Sequence, residues 1–326
     1  MTLIIINLEI KYVLFNIGLS MEEVSIETKD EALENYWKAG KIASKVRKSV
    51  PNIIKPNRKI LDACEDIENM ILKLGGKLAF PCNIGINEVT AHYTPLIETS
   101  DIIPENSIIK IDLGVHIKGF IADTAITISL DPIYDLLKIA SEEALEVAIR
   151  NIKPGKKVSE IGQMIEEAIS KFGLKPIRNL TGHKMERFSL HAGKAIPNVS
   201  SINGSKIEDG EIYAIEPFVT FRDASGFVRN SNESFIFKFI KVKGAKTEQE
   251  TVFINHIKKE FATFPFTKRW LVNSYPIEDL RNILNRMISS KCIMPYHVLI
   301  EESNKPVAQS EHTVLVNKDG CEVTTL

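Results

Sequence analysis

The sequence has no Cys-x-x-Cys pair. Its four cysteines, Cys64, Cys82, Cys292 and Cys321, stand far apart, so neither a zinc ribbon nor a disulfide framework is signalled, and a reducing compartment, the cytoplasm, is expected. Charge of neither sign dominates: the formal net charge is -1, and Lys and Arg are spread along the length without the basic face or tail of a nucleic-acid binder. The stretch "LGGK" lacks the GxxxxGK[ST] spacing of a phosphate loop and reads as a helix C-cap at Gly75-Gly76. The N-terminal "MTLIIINLEIKYVLFNIGLS" is apolar but interrupted by Glu9 and Lys11. No basic segment precedes it and no small-residue cleavage site follows cleanly, so it reads as neither a membrane span nor a signal peptide. Residues 1–20 are expected to be a peripheral extension, with Met21 as a second start and residues 21–326 as the folded domain.

What remains is an ordinary globular chain of 326 residues, 44% apolar and 25% charged, enough for one large domain or a domain with an insertion. Thr28-Lys29-Asp30-Glu31 has the form of a capping box, and amphipathic helices are predicted over 29–50, 57–74, 133–151 and 156–172. Strand-like runs follow each pair of helices, the clearest being "IYAIEPFVTF" and "HTVLV". Two helices, strands, two helices, strands is a repeat of architecture with little repetition of sequence. Residues 248–292 break the rhythm with two helical stripes, one on Phe253, Ile257 and Phe261, the other on Leu280, Ile283, Leu284, Met287 and Ile288. They predict a helical insertion that decorates the main fold without extending its sheet.

Within "IDLGVHIKGFIADTAIT" two aspartates interrupt an apolar hairpin. A two-residue turn at Lys118-Gly119 sets Ile117 opposite Phe120, Gly114 opposite Asp123 and Asp112 opposite Ala125, so by strand parity Asp112 and Asp123 share one face beside Gly114. Two buried carboxylates repel, and a cation resolves the conflict. Glu216 in "YAIEPF" and Glu311 in "SEHTVLV" likewise enter apolar runs, and His183 and His191 lie eight apart in "NLTGHKMERFSLHAGKAIPN". Four carboxylates and the His183 imidazole carry more negative charge than one divalent ion balances. Two ions sharing bridging carboxylates would suit them, with a water between them that becomes hydroxide near neutral pH.

The set "AHYTP", "IDLGVHIKGFIADTA", "NLTGH" with "HAGKAIP", "YAIEPF" and "EHTVLV", from about residue 29 to the C-terminus, resembles the methionine aminopeptidases. "FPFTKRW" in the insertion is similar to type 2 of that family, and the chain looks like the short archaeal form. The resemblance implies the α+β pita-bread fold, two pseudo-symmetric halves of helices and antiparallel strands. It also implies removal of the initiator methionine from nascent proteins with a small second residue, through a hydroxide bridging two divalent ions. The metal is left open among cobalt, manganese, iron, zinc and nickel. By position, Asp112 would bind one ion, Asp123 and Glu311 would bridge, and His183 and Glu216 would complete the second. His92 and His191 would donate to the scissile amide and the tetrahedral intermediate. Phe80 and Pro81 in "AFPCN" would form the methionine pocket, lined also by Leu190. Lys184 should face away from the centre, and His116, near the turn, is expected to be solvated and not a ligand. His256, His297 and His312 are expected in surface or structural roles. The implied partners are nascent N-termini, including those at the ribosome; no nucleic acid or membrane is implied, and the protein would act as a monomer. Two other readings stand beside this one: an Xaa-Pro aminopeptidase or dipeptidase of the same fold, and a non-catalytic binding protein of that fold.

Overall fold

The structure, a computed structural model, describes residues 28–202 and 204–326, so the N-terminal extension and Met21 lie outside the described residues. Thr28 caps the first helix, α1 (Lys29–Ile53). Its Oγ1 accepts the Glu31 amide at 3.2 Å while the Glu31 carboxylate accepts the Thr28 N–H at 2.8 Å, the reciprocal pairing of a capping box. Helix α2 (Ile60–Lys73) ends before Gly75, whose φ of +84° allows the chain to reverse. Both helices cover a three-stranded antiparallel sheet in the order β1 (Lys77–Ile86), β3 (Ile108–Ile117), β4 (Phe120–Ser129); β2 (Val89–Ala91) leaves it for another sheet. Val46, Ile67, Ile111 and Leu113 are fully buried between them.

The second half repeats this plan. Helices α3 (Asp135–Asn151) and α4 (Val158–Ser170) precede β5 (Lys175–Pro176), β6 (Thr181–Met185), β7 (Ala195–Pro197), β8 (Ile212–Ile215), β9 (Phe218–Thr220) and β10 (Val228–Phe239). The C-terminal strands are β12 (Ile293–Glu301), β13 (Val307–Gln309), β14 (His312–Asn317) and β15 (Gly320–Val323). A five-stranded sheet runs β15-β14-β8-β6-β7, and Leu137, Ile161, Ile165, Tyr213 and Val314 form the core beneath α3 and α4. The run predicted as one strand, "IYAIEPFVTF", is split at Glu216-Pro217, because proline has no amide to give a central ladder.

The segment between β10 and β12 holds α5 (Glu248–Phe261), β11 (Phe266–Thr267) and α6 (Ile277–Ser289), with Phe253, Ile257, Leu280 and Leu284 in a core of their own. It does not leave the sheet unextended. Phe266 pairs with Phe237, so the order is β11-β10-β12-β2 and the insertion covers an otherwise open edge.

The β3–β4 hairpin has the register read from the sequence: Ile117 opposite Phe120, Gly114 opposite Asp123, Asp112 opposite Ala125. Lys118 and Gly119 both take positive φ, +50° and +90°, as a tight turn matched to strand twist requires. The outer edge of β4 then meets the other half of the molecule. Ala125 and Glu311 exchange backbone hydrogen bonds of 3.4 and 3.2 Å, and Thr124 Oγ1 donates to the Glu311 carbonyl at 2.7 Å. Thr313 Oγ1 accepts the Asp123 amide at 2.7 Å and donates to the Asp123 carbonyl at 2.8 Å.

Because one hydroxyl satisfies both backbone groups of Asp123, Thr313→Val would leave a buried N–H and C=O unpaired. At about 1–3 kcal/mol each, the variant is expected to lose roughly 2–6 kcal/mol of stability in urea titrations of metal-free protein, with Thr313→Ser close to the parent. A valine variant as stable as the parent would show that the seam does not depend on this side chain.

Candidate metal centre

Each half contributes carboxylates to the seam. Strand parity points Asp112 and Asp123 off the hairpin, and the Ala125–Glu311 pairing sets Glu311 beside them. Strand β14 passes the arrangement on. His312 lies opposite Ile215, which precedes Glu216, and Ala214 lies opposite His183 on β6. The Asp123, His183 and Glu311 side chains offer ligand atoms within 4.8 Å of one another, and all three residues are buried. His183 Nε2 stands 3.7 Å from Asp123 Oδ2 and 3.6 Å from Glu216 Oε1, too far for hydrogen bonds and close enough for a shared cation.

Electrostatics fit the same conclusion. Desolvation first, then mutual repulsion, holds Asp123, Glu216 and Glu311 well above the usual carboxylate range, and desolvation pushes Asp112 up to about 7. His183 is pushed down to about 3 by desolvation and by His191, so it presents a neutral imidazole with a lone pair to offer. Among the described residues no Lys or Arg forms an ion pair with any of the four carboxylates. Lys184, next to His183, faces away as parity predicts, its Nζ 2.8 Å from Glu186 and 3.4 Å from Glu211. Asp112 Oδ1 and Asp123 Oδ1 are buried without a hydrogen-bond partner. A desolvated, oxygen-rich set with one imidazole and no side-chain cation paired to it among the described residues fits divalent cations.

The centre borders a cavity of about 220 Å³. Phe80, Leu190, Phe218, Ile236 and Pro265 supply apolar walls, and His92, His191 and Tyr296 the polar side. Its volume lies below the roughly 300–1,000 Å³ of sites for drug-sized ligands, which suits one chain end. Pro81 is buried but does not border it, a departure from the expected pocket. A register shift in β1 between Phe80 and Asn83 breaks the alternation, so Phe80 and Asn83, three apart, both line the cavity. Gly114 makes room for the Phe80 ring: a Cβ there would lie 2.3 Å from Phe80 Cε1.

The histidines divide cleanly. His92 takes a φ of +63°, its Nδ1 3.2 Å from the His297 carbonyl and its ring edge-on to Tyr296. His191 is exposed on the cavity wall with its ring 4.3 Å from that of His183. His116 is no part of the site, yet it is buried where solvent was expected. Its Nδ1 accepts the Gly119 amide at 3.2 Å and its ring stacks on Phe264, because the insertion folds over the turn. His312 is held by Thr325 and Arg47, and His256 by Tyr275, both in structural roles. Gln309 escaped the sequence reading. Its carboxamide lies 3.4 Å from both Glu216 and Glu311, and its position two before Glu311, hence on the same face of an extended chain, was the available signal.

The family model described as "Metallopeptidase family M24" matches residues 34–257. The chain is 43% identical over 296 residues to the methionine aminopeptidase of Methanothermobacter thermautotrophicus, covering 90% of this chain and 98% of that protein. Among solved structures it is similar to a thermophilic Arx1, with 20% identity, a TM-score of 0.79 and coverage of 92% and 91% of the two chains. It is also similar to the methionine aminopeptidase of Thermotoga maritima, with 23% identity, a TM-score of 0.65 and coverage of 92% and 98%. The two structures share the pita-bread fold with this chain.

The raised Asp112 fixes the sign of a pH effect in the metal-free protein. Its carboxyl stays protonated in the fold up to about 7 but ionises near 3.8 when unfolded, so its contribution to stability is complete below 3.8 and is lost as pH rises towards 7. Asp112→Asn escapes this loss. In thermal melts with chelator, the variant is expected to gain on the parent between pH 4 and 7 by up to a few kcal/mol, at about 1.4 kcal/mol per pH unit. A constant gap across that range would mean that the carboxylate is not forced neutral.

Proposed function

This chain belongs to metallopeptidase family M24, and from that premise we propose that it is a methionine aminopeptidase that releases the initiator methionine from nascent chains with a small second residue. The observation carrying this reading is the small cavity with apolar walls on one side and four carboxylates on the other, Asp123 and Glu311 buried and Asp112 and Glu216 half-buried. An apolar side chain fits the first and a free α-amino group is drawn to the second. Extended internal peptide does not suit so small an enclosure, which favours an exopeptidase.

Asp112, Asp123, His183, Glu216 and Glu311 would hold two divalent ions, Asp123 and Glu311 serving both. Bound there, such ions supply Lewis acidity that polarises a carbonyl and lowers the pKa of water. The chain's own groups do the rest. Phe80 and Leu190 grip the methionine side chain and keep bulk water from it. Gln309 fixes the rotamers of Glu216 and Glu311 through its carboxamide. A carbonyl oxygen only accepts, so the His92 Nδ1 proton points at His297, and burial holds the imidazole down to about 4, neutral at working pH. Nε2 is then an acceptor. His92 therefore receives the scissile amide N–H, and the expected donor role is left to His191, whose imidazole desolvation also biases towards neutrality.

The high identity to a named methionine aminopeptidase across nearly both full lengths favours this reading over an Xaa-Pro enzyme, and the presence of all five expected ligand residues disfavours a non-catalytic one. No helix among the described residues is long and apolar enough to cross a membrane. We place the protein in the cytoplasm as a monomer acting on N-termini at or near the ribosome.

Metal-stripped protein resupplied with manganese or cobalt is expected to release methionine from Met-Ala-Ser and Met-Pro-Gly and to leave Ala-Pro-Gly intact. Cleavage of Ala-Pro-Gly instead would assign the Xaa-Pro activity. Asp123→Ala should be inactive, whereas His92→Ala should lose turnover and keep its metal; metal loss in the latter would refute its role as a substrate contact. Gly114→Ala, by displacing the Phe80 ring, should raise KM for these peptides at least several-fold with metal content unchanged.

A further inference from the structure

We propose that Arg269, in the insertion, is a positioning residue that sets His92 for the reaction; the inference rests on the aminopeptidase reading. His92 is the first residue after β2, in a left-handed conformation, and residues 92–98 have no regular secondary structure. Such a segment holds its place only through individual anchors. Arg269 is buried, and its guanidinium provides two of them: Nε donates to the Pro95 carbonyl at 3.1 Å and Nη2 to Thr94 Oγ1 at 3.2 Å. Lys268 adds a third, 3.1 Å from Glu98.

The guanidinium is itself locked. Glu68, on α2, takes it in a bidentate fork, Nη1 to Oε2 at 2.7 Å and Nη2 to Oε1 at 2.9 Å, while Trp270 Nε1 donates to Oε2 at 2.9 Å. Glu68 Oε1 also accepts the Cys82 amide at 3.1 Å, in the irregular stretch of β1 between Phe80 and Asn83. One buried ion pair thus refers the His92 segment, the cavity wall and the insertion to the same helix. Lysine can keep the charge at position 269, but one ammonium cannot satisfy the Glu68 fork, Pro95 and Thr94 together.

The test is a double-mutant cycle in the manganese-loaded protein with Met-Ala-Ser: parent, Arg269→Lys, His92→Ala and the combination. Arg269→Lys is expected to lower kcat about tenfold, with KM and metal content within twofold of the parent. The combined variant should be no slower than His92→Ala alone within a factor of two, because the Arg269 effect passes through His92. Losses that multiply, or a loss carried by KM, would overturn the proposal. Should Arg269→Lys fail to fold, Thr94→Val takes its place in the same cycle with the same expected pattern. A readout independent of turnover is the ring titration of His92 in the metal-free protein by NMR. It should move up from about 4 in Arg269→Lys, and an unmoved titration overturns the proposal even in a protein that cleaves nothing. A parent that releases no methionine refutes the aminopeptidase reading; an active parent with multiplying losses refutes only the role of Arg269.

Discussion

The backbone pairing of Ala125 with Glu311 is the contact on which the rest of the site depends. It sets the edge of the N-terminal hairpin against the C-terminal sheet, so that side chains chosen by strand parity on two separate sheets emerge into one space. The threonines around it, Thr124, Thr127 and Thr313, satisfy backbone groups that a regular ladder would have served. The cost of this convergence is electrostatic. Four carboxylates meet where water is scarce, and desolvation and repulsion raise their proton affinity together.

The protein does not lack means of neutralising buried charge. Glu68 is answered by Arg269 and Trp270, and Glu211 by Lys184, Lys194 and Tyr213. Lys110, fully buried on the same strand as Asp112 and pushed down to about 7 by that burial, donates its Nζ to the Asn87 and Val307 carbonyls and forms no ion pair with a carboxylate among the described residues. A lysine two residues from Asp112 thus serves the fold while the aspartate goes unanswered. The same division occurs on β6, where His183 faces in and Lys184 faces out. Cations in side-chain form are at hand and are directed elsewhere, which argues that the centre is kept for an ion that arrives from solution.

How much of this the sequence disclosed depended on whether the determining interaction was local. The hairpin register followed from a two-residue turn and the period of two, so the convergence of Asp112 and Asp123 was legible without any tertiary information. The capping box at Thr28 and the two pairs of helices were legible for the same reason. Pro81 misled because alternation was assumed through a stretch where β1 is irregular; the proline itself, which cannot donate to a ladder, was the available signal of the shift that turns Asn83 towards the cavity. His116 was expected in solvent because a turn is normally exposed; Phe264, nearly 150 positions later, covers it. The edge strand β11 was hidden because two residues are too few for a period to register.

That the proposed ligand set is divided between the halves has a thermodynamic consequence. Asp112 and Asp123 belong to the first sheet, His183 and Glu216 to the second half, and Glu311, just ahead of β14, makes the bridge to Ala125 that joins them. Neither half alone assembles the site, so an ion binding all five residues binds only the docked arrangement and stabilises it by mass action. Without an ion, desolvation and mutual repulsion favour the protonated, neutral form of these carboxyl groups. A divalent ion bound there would exchange those protons for its own charge at the place where the halves meet. Catalytic competence and the docking of the two halves would then be governed by the same contacts, while the Arg269–Glu68 pair ties the insertion to α2 on the His92 side of the cavity.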